Sequence, residues 1–310
     1  LNYVVNITNN MEKGLILFGT DAAGTLTTGI AGEGTLEIGT DTTQAVITAT
    51  TDDKEIENKV VIRKADSKLI VNADNITNEV DNSVGSIVEL HKRTDAATTT
   101  LGGVVTGGAI VVAGDITADV INLASTLGIT VNDGITLTLT SSSSTELQDN
   151  IGSASAKAGN VVIANDVDAF KNNIKITENN LTVNEGKTLK IAVADMIITN
   201  AVINDGTLDL QAGTLASAIT NTEGKGETQI TGAVVATADA TIKQNTMLIN
   251  AGSSLTINAG NLSIDDTTNG IVNNELNGLV LMGAVDGSDM GTGVFTAKVT
   301  GTGSISIGTA

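Results

Sequence analysis

Short apolar runs and small polar turns alternate along the whole chain. Gly34–Ile38 (GTLEI), Lys59–Ile62 (KVVI), Lys68–Val71 (KLIV), Asn160–Ile163 (NVVI) and Ser304–Ile307 (SISI) are examples. Successive side chains of a strand point to opposite faces, so this period of two predicts half-buried strands. Asn, Asp and Gly fill the gaps; all three tolerate positive φ and suit turns. The turn signals recur about every ten residues, the rhythm of an all-β chain.

A degenerate unit repeats within this pattern. Ile129–Leu139 reads ITVNDGITLTL, Leu181–Ile191 LTVNEGKTLKI, Ala201–Leu210 AVINDGTLDL and Leu248–Ile257 LINAGSSLTI. Each is an alternating strand, a corner of Asn, a variable residue and Gly, then a second alternating strand. Two geometries fit such a corner: an antiparallel hairpin, or a bend between faces of a solenoid rung. The reading favoured here is an all-β chain forming a β-solenoid, parallel β-helix-like, with β-sandwich domains as the alternative. Asp166–Ile174 (DVDAFKNNI) and Thr145–Ile151 (TELQDNI) are the candidates for short helical turns, the first N-capped by Asp166. Thr51–Asn58 (TDDKEIEN) reads as a charged loop. Glu89–Asp95 (ELHKRTD) is the most basic local cluster and divides an N-terminal β region, residues 1–95, from a repetitive β region, residues 96–310.

Composition narrows the core. The chain has no Cys, Pro or Trp, and its aromatics are Tyr3, Phe18, Phe170 and Phe295. Val, Ile, Leu, Ala and Thr must fill the interior, and similar small side chains suit regular stacked layers. Without cysteine there is no disulfide framework and no thiolate metal site. The longest uncharged stretch, Ala96–Gly114, is rich in Gly, Thr and β-branched residues, so it reads as strands with Gly turns and not as a membrane span. Lys and Arg number 16 against 35 Asp and Glu, a formal charge of −19. That balance excludes nucleic acid and anionic membrane surfaces as partners and favours divalent cations.

Residues for catalysis are scarce. His91 is the single histidine and stands beside Lys92 and Arg93 in what reads as a solvated turn. No nucleophile elbow, P-loop or zinc-binding helix motif occurs. Glycoside hydrolysis needs only two carboxylates, but the aromatic platforms of sugar clefts are missing. The chain therefore reads as no enzyme. Calcium is the candidate cofactor: Asp286, Asp289, Asp265 and Asp266 offer hard oxygen ligands in small-residue loops, as does the Asp52–Asp53 pair, though none follows an EF-hand spacing.

Gly24–Thr40 (GTLTTGIAGEGTLEIGT), Gly107–Leu123 (GGAIVVAGDITADVINL) and Ala201–Ile219 (AVINDGTLDLQAGTLASAI) resemble passenger regions of autotransporters, the rickettsial-type outer-membrane surface antigens above all. The acidic, cysteine-free, Thr/Ala/Gly/Asn/Val-rich composition also resembles S-layer and other self-assembling surface proteins. The resemblance implies a right-handed β-solenoid, export to the cell surface and a role in adhesion or coat formation. It carries no functional residue over.

These readings predict an extracellular structural protein of a bacterial surface, a self-assembling subunit of an S-layer, sheath or filament. The alternative is a monomeric adhesin binding host or neighbouring cells. Copies of itself are the expected partner, with cell-surface components as a second. Leu1–Thr8 (LNYVVNIT) alternates and is the candidate assembly strand, able to add to a neighbour's sheet. The sequence opens on Leu with no basic and apolar leader pattern, so either a signal was removed or this is a piece of a longer chain; the reading favoured here is a processed mature chain.

Overall fold

A computed structural model of the chain describes residues 7–12, 14–17, 24–82, 84–152, 158–192, 195–198, 201–215, 218–222, 224–236, 241–257, 263–264, 271–275, 278–282 and 299–308. Asp265, Asp266, Asp286 and Asp289 lie outside these residues, and of the expected assembly strand only Ile7 and Thr8 lie within them. The chain divides into two compact units, Leu1–Asn160 and Val161–Ala310, so residue 95 falls inside the first.

In the first unit the chain visits three sides of a rung in fixed order, then repeats the circuit one rung on. One six-stranded sheet stacks Gly24–Thr25, Val46–Ala49, Lys68–Asn72, Ile87–His91, Ala109–Val112 and Ile129–Val131. A second stacks Leu15–Leu17, Thr35–Ile38, Lys59–Ile62, Val80–Asp81, Val105–Thr106 and Leu123–Ala124. Between them, single bridges join Ile30, Ile56 and Ile76, and the strands Thr99–Thr100, Ile116–Asp119 and Thr136–Thr140 follow. All these pairings are parallel and in register. This is a β-solenoid.

Register turns the sequence pattern into a core. Ile47, Leu69, Val88, Ile110 and Ile129 are successive Cα partners, and all are buried. Ala49, Val71, Leu90, Val112 and Val131, two residues on, form a second buried ladder in the same sheet. Leu36, Val60, Val80, Val105 and Leu123 close the core from the second sheet. Parallel strands stack about 4.8 Å apart, so each aliphatic chain packs on its counterpart above and below. Aliphatic side chains from Ala to Leu and Ile fill these ladders.

The second unit stacks by the same rule. Leu189, Leu208, Thr228, Met247 and Ile271 form one buried ladder; Ile191, Leu210, Ile230, Ile249 and Asn273 form the next. Two long strands, Thr207–Leu215 and Glu227–Ala236, run past a corner in one piece, with a shift of register between Leu210 and Ala212.

The Asn corners are bends and not hairpins. Ile135, Lys187 and Ser253 each donate their amide to the carbonyl three residues back, on Asn132, Asn184 and Asn250, at 3.0, 3.0 and 3.1 Å. Gly134, Gly186 and Gly252 take the third position with φ of 74°, 69° and 80°, where an L side chain is strained. The strands flanking each corner pair with other rungs, in parallel. The Ala201–Leu210 copy departs from this turn: Asp205 donates to Val183 of the previous rung at 2.9 Å.

Two expected helices are absent. Thr145–Ile151 is irregular chain, with Ile151 bridged to Ile129 and Leu147 buried. In Asp166–Ile174 the strand Val167–Asp168 precedes a simple turn, and the Asp166 carboxylate accepts the Thr188 amide of the next rung at 2.8 Å instead of capping a helix. Rung-to-rung hydrogen bonds outcompete an isolated turn of helix, which is marginal on its own. The helices described from end to end are 3₁₀ turns, Ala73–Asn75 and Val120–Asn122. Among the described residues no helix is long and apolar enough to cross a membrane.

Candidate functional site

Polar side chains gather where rungs turn, and most of them tie one rung to another. Arg93 follows the strand Ile87–His91. Its guanidinium reaches Asp95 on the same loop at 2.8 Å, Asp74 one rung back at 3.3 Å and Asp53 two rungs back at 2.7 Å. The Asp95 hydrogen bonds come first in holding the Arg93 proton more tightly than usual, and in return they lower the Asp95 carboxyl. Asp52 accepts from the Asn72 side chain at 3.0 Å and from the Thr94 hydroxyl. The Asp52–Asp53 pair, expected as a calcium candidate, is therefore already engaged by Asn72, Thr94 and Arg93.

His91 is no solvated turn residue. It ends a strand, is Cα partner to Asn72, and its Nε2 lies 2.6 Å from Glu89 Oε1. Glu89 also pairs with Lys68 of the rung below. Burial pushes the Glu89 carboxyl up, but Lys68 and His91 outweigh it and the net position is lowered. Lys59 and Glu79 make a further cross-rung pair at 3.0 Å, and Arg63 pairs with Glu37.

Buried amides do the same work inside. Asn58 donates to the Gly32 carbonyl at 2.6 Å and the Asn9 carbonyl at 2.9 Å. Asn75 donates to the Ala49 and Thr51 carbonyls at 3.3 and 3.0 Å. In the second unit Asn204 donates to Gln244 at 2.5 Å, and Gln244 donates to the Thr220 carbonyl at 3.0 Å. A buried amide nitrogen that donates to another rung favours one register, because a slipped register strands it; the Oδ1 atoms of Asn58 and Asn204 find no partner among the described residues.

Several buried oxygens have no partner among the described residues, and Glu178 is the side chain in which both lack one. It lies in the strand Ile176–Val183, is fully buried, and neither carboxylate oxygen has a partner. Burial alone pushes its carboxyl up to about 9. Asp209, also buried, is raised by burial against the opposing pull of the Thr231 hydroxyl and Lys190. The sequence signal for Glu178 is slight: it occupies the inward phase set by Ile176, two positions before, in ITENNLTV.

A cleft of about 180 Å³ is lined by Gly29, Ile30, Ala31, Asp53, Lys54, Glu55 and Glu57. It is smaller than the ~300 Å³ at which ligand pockets begin. Glu57 already accepts the Gly32 amide at 2.9 Å. Among the described residues no three His, Cys, Asp or Glu side chains converge to hold a metal. The ion pairs and amides described above join one rung to another.

No family model, curated protein or solved structure matches the chain. What the fold defines is a parallel β-solenoid stapled across its rungs.

Proposed function

We propose that the chain is an extracellular structural subunit of a bacterial surface, assembling with copies of itself into an S-layer, sheath or filament. The observation behind this reading is the use of its polar residues. Arg93, Glu89, Asn58, Asn204 and Gln244 bind rung to rung, which is what a load-bearing material needs and what a substrate site does not. Parallel rungs also extend without change of rule, since each presents N–H and C=O groups to the next. In this reading residues 1–8 are the strand that joins a neighbour's sheet. Calcium, held in the acidic loops, is the proposed aid to assembly.

Size-exclusion chromatography with and without calcium, followed by negative-stain imaging, tests the proposal. Polymers or a lattice that vanish when residues 1–8 are removed support it. A chain that stays monomeric at high concentration yet binds cells points to the adhesin instead.

A further inference from the structure

The strand Ile176–Val183 buries Ile176, Thr177 and Glu178 together, then resumes its inward alternation at Leu181 and Val183. Glu178 is thus enclosed where the phase changes. Its strand pairs with Met196–Ile198 at residues 176–178 and with Val202–Asn204 at residues 182–183. Neither partner strand carries a titratable residue, and neither does the strand Ala158–Ile163 on the opposite side in the sheet order. Glu178 is the only ionisable group in its own strand, and Lys175, just before it, is exposed. Among the described residues no cation or hydrogen-bond donor meets the carboxylate.

We propose that Glu178 folds as a neutral carboxylic acid and makes closure of this rung depend on uptake of a proton, so that acid holds it shut and alkali opens it. A leucine here would pack equally well at every pH; what the carboxyl adds is the dependence. Burial without a partner disfavours the charged form. Enclosure in the closed rung pushes the carboxyl up to about 9, from its ordinary 4.5 when exposed. Between those values the closed rung holds a proton that the open rung gives up. Closure is therefore fully favoured below the lower value and weakens about tenfold per pH unit until the upper value is reached.

The test is amide exchange at residues 176–183 and 196–198, corrected for intrinsic exchange rates, in the wild type, Glu178→Leu and Glu178→Gln between pH 5 and 9. The opening equilibrium of the wild type is expected to rise about tenfold per pH unit relative to Glu178→Leu, roughly a hundredfold from pH 5 to 7. Amides of Lys59–Ile62 serve as the control and move alike in all three chains. The same pH dependence at residues 176–183 in wild type and variants overturns the proposal. Should neither variant fold, carboxyl ¹³C NMR of Glu178 in the wild type decides. A midpoint above about 6.5 supports the latch and one below it, near the ordinary glutamate value, rejects it.

Discussion

The side-chain amide of Asn58 donates to the main-chain carbonyl of Asn9, 49 positions earlier, at 2.9 Å. The same nitrogen reaches the Gly32 carbonyl at 2.6 Å, on the intervening segment. One buried residue thus ties three consecutive circuits of the chain. Asn58→Ala leaves two carbonyls without this donor, at a cost of about 1–3 kcal/mol. The urea midpoint should fall, and amide protection should drop first at residues 30–36. An unchanged protection pattern would show that the rungs do not lean on Asn58.

Register predicts a sharp contrast between neighbouring positions of one sheet. Leu90 is fully buried between Val71 and Val112, whereas Val111 is outward on the adjoining strand. Leu90→Ala should cost about 2–5 kcal/mol through lost contact and a residual cavity. Val111→Thr keeps the branched shape on an outward face and should stay within about 0.5 kcal/mol. Thermal melts of the two variants read the difference; equal losses would contradict the inward–outward assignment.

Arg93 offers a test by geometry and salt. Its planar fork meets Asp53, Asp74 and Asp95 at once, which a lysine ammonium has no geometry to do. Arg93→Ala should lower the melting midpoint, and Arg93→Lys should recover only part of it. Added salt should bring the wild type toward the variant, because these charges are near solvent. A gap that is insensitive to salt would mean Arg93 acts through packing of its stem alone.

Glu89 should weaken the stack in acid. Its folded carboxyl lies below the ordinary value once Lys68 and His91 have outweighed burial. The stability it contributes is therefore present above its unfolded value of 4.5 and is lost as pH falls through the folded one. Melts between pH 7 and 3 should steepen in the wild type relative to Glu89→Gln. Glu178 has the opposite sign: the closure of its own rung weakens as pH rises.

Much of this fold is legible in the sequence because strands have a period of two and corners need positive φ. Lys59–Ile62 appears at the bounds its alternation predicts. Gly134, Gly186 and Gly252 turn where their Asn-x-Gly units stand. The direction of the strands is not legible in the same way: an Asn-x-Gly turn serves a hairpin and a solenoid bend alike, and only partners about twenty residues away settle it. The helices expected at 145–151 and 166–174 fail for that reason, since Asp166 finds its donor on Thr188. Arg93 reads as part of a solvated basic loop because its three carboxylates come from three circuits. Glu178 is hidden among Asn and Thr, where a polar letter at an inward phase looks like a turn.

The two kinds of glycine make a further test. A Cβ on Gly103 would lie 1.9 Å from the Asn78 carbonyl oxygen and 2.8 Å from Ile76, both on the previous circuit. Gly103→Ala must push two rungs apart, and a loss above about 3 kcal/mol is expected, in the range of overpacking. Gly134 has φ of 74° with nothing near a new Cβ, so Gly134→Ala should cost only about 1 kcal/mol of backbone strain. Chemical denaturation of both variants checks the order; a milder effect at Gly103 would place the rungs further apart than they stand here.

The in-register parallel sheets of the first unit give it a directional strength. Their hydrogen bonds run from each circuit to the next, so a pull along that direction detaches one circuit at a time, as tape peels. A pull across it must slide whole sheets and break many bonds together. Such a module yields gradually at its ends while resisting sideways shear, and its weakest circuit, not its average one, sets the force at which it begins to fail.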